Sequence, residues 1–335
     1  MNKGQSVRKN MIKGKIICVS GENVLIANGY SLKDDKGRYK LKDRIYGLLS
    51  RFSLTRRFMR AEITGFYMLE DGTQLAIAKK GIFRRCPNEK TFMKICRTPR
   101  GSKPLNLVVK SGEEVYFGEY FQNVENVPVH IYSLNVETGA LTVAYTFGKG
   151  EINHIHGMFR DSYTNRIWVV TGDDDGECII GYTEDDFEHF NIVFRGGQEY
   201  RCCQMFFYPD FIVYATDSQF IPNVVKRIDR KTLEITELQN VQGSVIKGGQ
   251  VGHVSFFSTT VEPSEVNTDK YVHLWVSKDG LHWEERYKAK KDRMPAIMQF
   301  GTFEFPHYEG EIKDKLYFSG RAVEGLDGKS TYIDI

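Results

Sequence analysis

The chain has 335 residues, is 41% hydrophobic and 13% aromatic, and carries a formal net charge of +3 at pH 7. That apolar share excludes global disorder, and so small a net charge gives no electrostatic case for a nucleic-acid partner. No stretch approaches the roughly 20 apolar residues of a membrane-spanning helix, and the length suits one large all-β domain or two smaller ones.

Residues 1–15 are polar and basic, and the apolar run that follows, Ile16 to Val19, is short for a secretory core. The expected location is therefore the cytoplasm. The six cysteines (Cys18, Cys86, Cys96, Cys178, Cys202 and Cys203) have no zinc-ribbon spacing and read as reduced, mostly buried thiols.

In chain order, the dominant regularity is a repeat of strand, polar turn, strand, strand, turn, strand, with a period of about 40–50 residues. A weak copy opens the chain at 15–41 (KIICVSGENVLIANG, then YSLKDDKGRYKL). Clearer copies occupy 63–97, 105–147, 154–194 and 201–238, and two more begin near Ser244 and Met298. The pattern predicts a single all-β domain, 1–335, folded as a β-propeller of four-stranded blades. It has about seven blades, or six if the opening copy only completes the last one. The last copy stops after its third strand, so the N-terminal segment is expected to supply the fourth and remove a free edge. One segment departs from the repeat: 46–60, YGLLSRFSLTRRFMR, spaces Leu48, Leu49, Phe52 and Met59 as one helical face, with Arg51, Arg56, Arg57 and Arg60 beside them. It predicts a short basic helix whose stretch from Leu48 to Arg60 suits an acidic partner or a membrane surface.

The turns between third and fourth strands look alike: Ser277-Lys278-Asp279-Gly280-Leu281-His282-Trp283, Tyr182 to Phe187, Ile228 to Thr232 and Leu134 to Gly139. With these turns the chain resembles the Asp-box (bacterial neuraminidase repeat) propellers of the sialidase superfamily, although the Ser277 turn is one residue shorter than the usual box. The resemblance implies a fold and not a chemistry, because the box is a structural turn. The Arg-Ile-Pro context of the sialidase arginine clamp does not occur here.

Repeat phase marks one rim as the place for chemistry. The hairpin His154 to Thr171 brings two histidines, His154 and His156, beside an acidic run that contains Asp173 and Glu177. Equivalent positions elsewhere are Glu119 and Asp217 at strand ends, and Gln198, Tyr200, Arg201, Gln250 and His253 at strand starts. The expected catalytic set is His154, His156, Asp173, Arg201, Asp217, Glu119 and Tyr200. Gln198, Glu177, Gln250 and the basic-loop residues Arg97 and Arg100 are expected to bind substrate.

Such a set suits acid/base work on an anionic saccharide. Paired carboxylates serve a glycoside hydrolase, while Arg201 with a histidine or Tyr200 serves a polysaccharide lyase acting on a uronate. His154, His156 and His253 also make candidate ligands for a divalent metal ion. Gln250-x-x-His253 resembles part of the Gln/His metal set of propeller oligogalacturonate lyases, with Ser255 where that pattern wants another histidine. The rival expectation is a non-catalytic propeller scaffold that binds a protein or glycan, with the basic segment as its docking element.

Overall fold

The computed structural model describes residues 10–296 and 298–335. The first nine residues of the polar N-terminal stretch lie outside the described residues. The chain divides into two compact units, one made of Gly29–Arg201 and the other of Met1–Asn28 with Cys202–Ile335.

In the unit Gly29–Arg201, three antiparallel sheets of four strands follow one another in chain order. The first is Gly65–Met68, Gln74–Ala78, Gly81–Arg85 and Thr91–Cys96. The second is Val108–Ser111, Glu114–Gly118, Val129–Asn135 and Leu141–Phe147. The third is His154–Arg160, Ile167–Gly172, Cys178–Thr183 and Asn191–Gly196. A hairpin, Ser31–Lys33 with Arg38–Leu41, lies parallel to the Thr91–Cys96 strand through Lys40 and Leu41.

The other unit repeats the arrangement. Its sheets are Cys202–Phe207 to Ile235–Val241 and Val245–Val251 to Glu284–Lys290. A third sheet combines Thr302–Glu304, Lys315–Arg321 and Lys329–Asp334 with the N-terminal strand Ile12–Lys13, in which Ile12 faces Ser330. The hairpin Lys15–Ser20 with Asn23–Asn28 has His307–Glu309 alongside it in parallel.

Burial explains the residue choice strand by strand. Second strands such as Ile167–Gly172 (IWVVTG) and Val254–Thr259 (VSFFST) are buried throughout, so both faces are apolar or small. Fourth strands such as Ile235–Val241 and Glu284–Lys290 are mostly half-buried or exposed and carry charge. The cores between sheets are aromatic and β-branched. One gathers Tyr116, Ile131, Phe147, Ile155, Val169 and Phe187; another gathers Phe206, Val213, Phe257, Trp275 and Trp283. Each fully buried side chain of this size contributes about 1.5–3 kcal/mol. All six cysteines are free thiols, and Cys86 alone among them is not fully buried.

The third-to-fourth-strand turns are built alike, as their sequences suggest. Each starts from a polar residue that ends the third strand and accepts from backbone N–H groups ahead of it. Asn135 accepts from Glu137 and Thr138, Thr183 from Asp185 and Phe187, and Asp229 from Lys231 and Thr232. Ser277 Oγ accepts from Gly280 N at 2.8 Å, and Asp279 accepts from Leu281 and His282 N. Trp283 closes this turn by donating to the Gly280 carbonyl and packs on Phe257.

The segment expected as one helix is two: α1, Arg44–Leu49, and α2, Ser53–Met59. Asp43 caps α1 by accepting from Tyr46 N at 3.0 Å, and Ser50 ends it. The expected apolar face is also divided: Leu49 and Met59 are half-buried, but Leu48 and Phe52 are 55% and 63% exposed. The break at 50–52 rotates the second helix out of the first one's register.

Candidate functional site

The site in the unit Gly29–Arg201 begins with a backbone irregularity. On the strand His154–Arg160, Ile155 pairs with Thr171 and Gly157 with Val170, which leaves His156 as the extra residue of a β-bulge. The bulge and the strand end carry both imidazoles into one buried cluster; His154 and His156 are 6% and 3% exposed. Opposite them, Gly172 ends the second strand. A Cβ there would lie 2.6 Å from His156 Cε1 and 3.2 Å from Arg201 Cγ, so glycine provides the space the imidazole occupies.

Asp173 follows directly and is the hub. Its Oδ1 is 3.1 Å from His156 Nε2 and 2.8 Å from Arg201 Nη2, and its Oδ2 is 3.5 Å from His154 Nε2. Arg201 Nη1 and Gln198 Nε2 both donate to the Asp173 carbonyl, and Gln198 also reaches Asp175. The short 3-10 helix Gln198–Tyr200 places these groups, with Tyr200 stacked on Phe194.

The hydrogen-bond partners set the proton positions. His154 Nδ1 lies 2.9 Å from the Phe121 carbonyl, which only accepts, so Nδ1 carries the proton and Nε2 presents a lone pair. His156 Nε2 lies 3.1 Å from that lone pair and 3.1 Å from Asp173, so its proton serves both acceptors. Tyr120 packs edge-on against His154. Burial, with His156 beside it, holds His154 down to about 4, and Asp173 only partly offsets this. Burial alone would raise Asp173, but the His156 hydrogen bond, the imidazoles and Arg201 outweigh it and hold the carboxylate well below its usual range. Glu177 at the same rim is half-buried and raised, by burial first and then by Asp174.

His154 Nε2, His156 Nε2 and an Asp173 oxygen lie within 4.8 Å of one another, the donor set of a divalent metal site. The residues fit such an ion. One imidazole is neutral with its far nitrogen anchored on a backbone carbonyl, as metal-bound histidines are held. The third donor is Asp173 and not His253, which lies exposed in the Gly252-His253 turn at the far end of its own strand pair. The strand it was assigned to start begins eight residues earlier, at Val245.

The remaining expected residues divide. Arg201, Gln198 and Asp173 join the histidines, with Tyr200 and Glu177 at the margin. Glu119 is buried, but its carboxylate is taken up by Arg100, by His130 N at 2.9 Å and by the Tyr132 hydroxyl at 3.2 Å. Glu119 and Arg100 thus bind one another, and Arg97 is exposed in the neighbouring loop. In the other unit, Asp217 is buried and accepts from Cys203 Sγ at 3.1 Å. Gln250 spans two strands, accepting from Phe207 N and donating to Phe207 O, which consumes its amide. Sequence reasoning missed Gly172 and the Phe121 carbonyl. A glycine at a strand end facing a histidine pair was the one visible signal for the first, and nothing local marks the second.

No protein-family model matches the chain, and no curated protein matches it in sequence. The Asp-box likeness therefore rests on turn geometry alone. Solved structures do match. Oligogalacturonate lyase from Vibrio parahaemolyticus superposes with a TM-score of 0.61 at 11% identity, over 96% of this chain and 90% of that one. An oligogalacturonate lyase in complex with manganese gives 0.58 at 9% identity, over 97% and 90%. The WD40 β-propeller domain of Doa1 gives 0.55 at 9% identity, over 96% and 94%. At such identities a likeness speaks for architecture alone, and with six four-stranded antiparallel sheets among the described residues the chain is a β-propeller.

Proposed function

We propose that this propeller is a carbohydrate-active protein whose His154–His156–Asp173–Arg201 cluster binds a divalent cation and acts on an anionic glycan as a polysaccharide lyase. The observation that carries this is the convergence of two imidazole nitrogens and a carboxylate within 4.8 Å, with a guanidinium on the same carboxylate. The likeness to oligogalacturonate lyases, one of them in complex with manganese, supports the substrate class.

A hydrolase needs two available carboxylates. Glu119 is committed to Arg100, and Asp173 is held ionised among cations and imidazoles, which favours the lyase. When bound, a divalent ion would be held by His154 Nε2, His156 Nε2 and Asp173, and would neutralise a uronate carboxylate. Arg201 would orient Asp173 and add positive charge at the substrate. His154 would stay neutral because burial and the neighbouring His156 disfavour its charged form, while the Phe121 carbonyl fixes its proton on Nδ1. His156 would present its Nε2 lone pair by shifting its proton to Nδ1.

The test is manganese titration of the purified chain, then incubation with oligogalacturonides and other acidic glycans, following the ultraviolet absorbance of an unsaturated product. The expected result is stoichiometric metal and metal-stimulated product, both lost in His156→Ala. No metal binding and no product from any acidic glycan would overturn the reading.

A second reading, a binding propeller, is favoured by α1 and α2. Ile45, Leu48, Phe52, Leu54 and Phe58 are each more than half exposed, and Arg44, Arg51 and Arg60 stand exposed between them. Large apolar side chains interleaved with arginine suit an anionic lipid surface. Under this reading the chain sediments with vesicles containing phosphatidylserine and not with phosphatidylcholine alone.

A further inference from the structure

In two sheets of the unit Gly29–Arg201 the residue after the second strand is a carboxylate: Glu119 follows Glu114–Gly118, and Asp173 follows Ile167–Gly172. In the first sheet of that unit a cation takes the same place, Lys79 after Gln74–Ala78. Ala78 pairs with Gly81, so Lys79 and Lys80 make the turn between them. Lys80 has a φ of +60°, a left-handed conformation that glycine adopts more readily. Its contacts hold it there. Its N–H donates to the Ser102 carbonyl at 2.8 Å and its Nζ to the Gly101 carbonyl at 2.6 Å.

These bonds tie the lysine turn to the loop 97–103, and the loop leads on to the histidine cluster. A Cβ on Gly101 would collide with the Tyr120 carbonyl, so the two segments touch there. Arg100 of the same loop binds Glu119 and lies over the Phe121 ring at 4.5 Å. Tyr120 is 37% exposed, and its ring packs on the His154 ring at 4.4 Å. Ile82 pairs with Cys96, which sets Arg97 beside the lysine turn. Lys80 and Arg100 are thus spent on holding the segments together, but Lys79 and Arg97 are not. Lys79 is half-buried, Arg97 is exposed, and neither side chain makes a hydrogen bond or ion pair among the described residues. Burial, then Arg60 and Lys80, hold Lys79 below the usual lysine pKa. Thr98 Oγ1 and Ser102 Oγ in the loop are also enclosed without a hydrogen-bond partner among the described residues. A partly desolvated ammonium without a partner is costly, and an anionic ligand offsets that cost.

We infer that Lys79 and Arg97 form an outer subsite for a uronate carboxylate, so that the ligand is an acidic oligomer reaching from the His154 cluster past Tyr120 to the lysine turn. This rests on the reading of that cluster as an anionic-glycan site. Lys79 supplies a compact point charge and Arg97 planar donors that match a carboxylate. Lys80 and Arg100 are positioning residues, which fix the turn and the loop against the end of the neighbouring strand. The subsite sets specificity, because a chain with carboxylates on several sugars gains an ion pair there that a shorter one does not.

The experiment compares digalacturonate with tetragalacturonate at one ionic strength, for the full chain with manganese, as wild type, Lys79→Met, Lys79→Arg and the double variant Lys79→Met with Arg97→Met. Length preference is read as the ratio of kcat/KM from the ultraviolet assay, or as the ratio of calorimetric affinities where no product forms. Wild type should prefer the tetramer by about tenfold or more. Lys79→Met should reduce that preference about threefold or more, with the loss falling on KM, and the double variant should abolish it. Lys79→Arg should keep it. The unliganded thermal midpoint of Lys79→Met should equal or exceed that of wild type, which separates lost recognition from lost folding. A wild type that makes no product yet shows the preference, lost in the double variant, would refute the lyase chemistry and retain the subsite. A wild type without the preference, or a double variant that keeps it, would overturn the inference whatever the activity.

Discussion

Replacing Gly172 by alanine tests the geometry of the histidine cluster with a single methyl group. The new Cβ would stand 2.6 Å from His156 Cε1 and 3.2 Å from both His156 Nδ1 and Arg201 Cγ. Carbon atoms pack at about 3.5–4.0 Å, so the His156 ring must retreat by roughly 1 Å. It has little room, because it is 3% exposed and its Nε2 is held between His154 and Asp173. Overpacking of this kind costs about 1–3 kcal/mol, and the lower backbone entropy of the unfolded alanine chain returns about 0.5–1. The net expectation is a loss of about 1–2 kcal/mol, read by urea denaturation, and a thermal midpoint a few degrees lower. The larger effect falls on the metal. A displaced ligand imidazole should weaken manganese binding by about 10–100-fold in calorimetric titration, as loss of a positioning partner does. A Gly172→Ala protein that binds manganese like wild type would show that His156 is not a ligand.

Acid should destabilise the fold through His154. Its folded pKa is depressed, so the unfolded chain takes up the proton first, and stability falls as the pH drops from about 6.5 to about 4. The full loss is about 3 kcal/mol, and His154→Gln should flatten that part of a denaturation series. Manganese affinity should fall as the pH drops towards about 4, because a protonated His154 Nε2 has no lone pair to give; equal affinity at pH 4 and pH 7 in calorimetric titration would contradict this. Arg100→Ala should destabilise by about 2 kcal/mol, discounted for the partial exposure of Arg100, because it strips the main partner from buried Glu119; Glu119→Gln made together with it should recover part of the loss. Changing Leu48, Phe52 and Phe58 to serine should leave the unfolding midpoint within about 0.5 kcal/mol of wild type, since all three are exposed, and should abolish sedimentation with anionic vesicles.

The repeat of strands, the polar residue that ends each third strand and the neighbourhood of His154, His156 and Asp173 were all legible in the chain, because each follows from local rules. A run such as IWVVTG must be buried on both faces, Asp279 must accept from the N–H groups just ahead of it, and a hairpin must return its end to its start. Arg201 and Gln198 were legible from repeat phase, one turn beyond the fourth strand of that sheet, Asn191–Gly196. What only tertiary structure decided is how those groups are spent. Glu119 and Arg100 looked like separate candidates until folding set a guanidinium against a carboxylate nineteen positions away. His253 failed because Gly248 and Gly249 weaken the strand signal of VIKGGQV, which moved the apparent strand start to the turn; the backbone accepts those glycines because a Cβ at Gly248 would meet the Phe256 carbonyl at 2.7 Å. Glu304 meets Lys15 and Arg321, which come from two other strands, one of them nearly three hundred positions away. A sequence records which side of its own strand each residue takes. Which charges then meet depends on bulges and on the packing of sheets against one another, where a displacement of one residue or one ångström changes the partner.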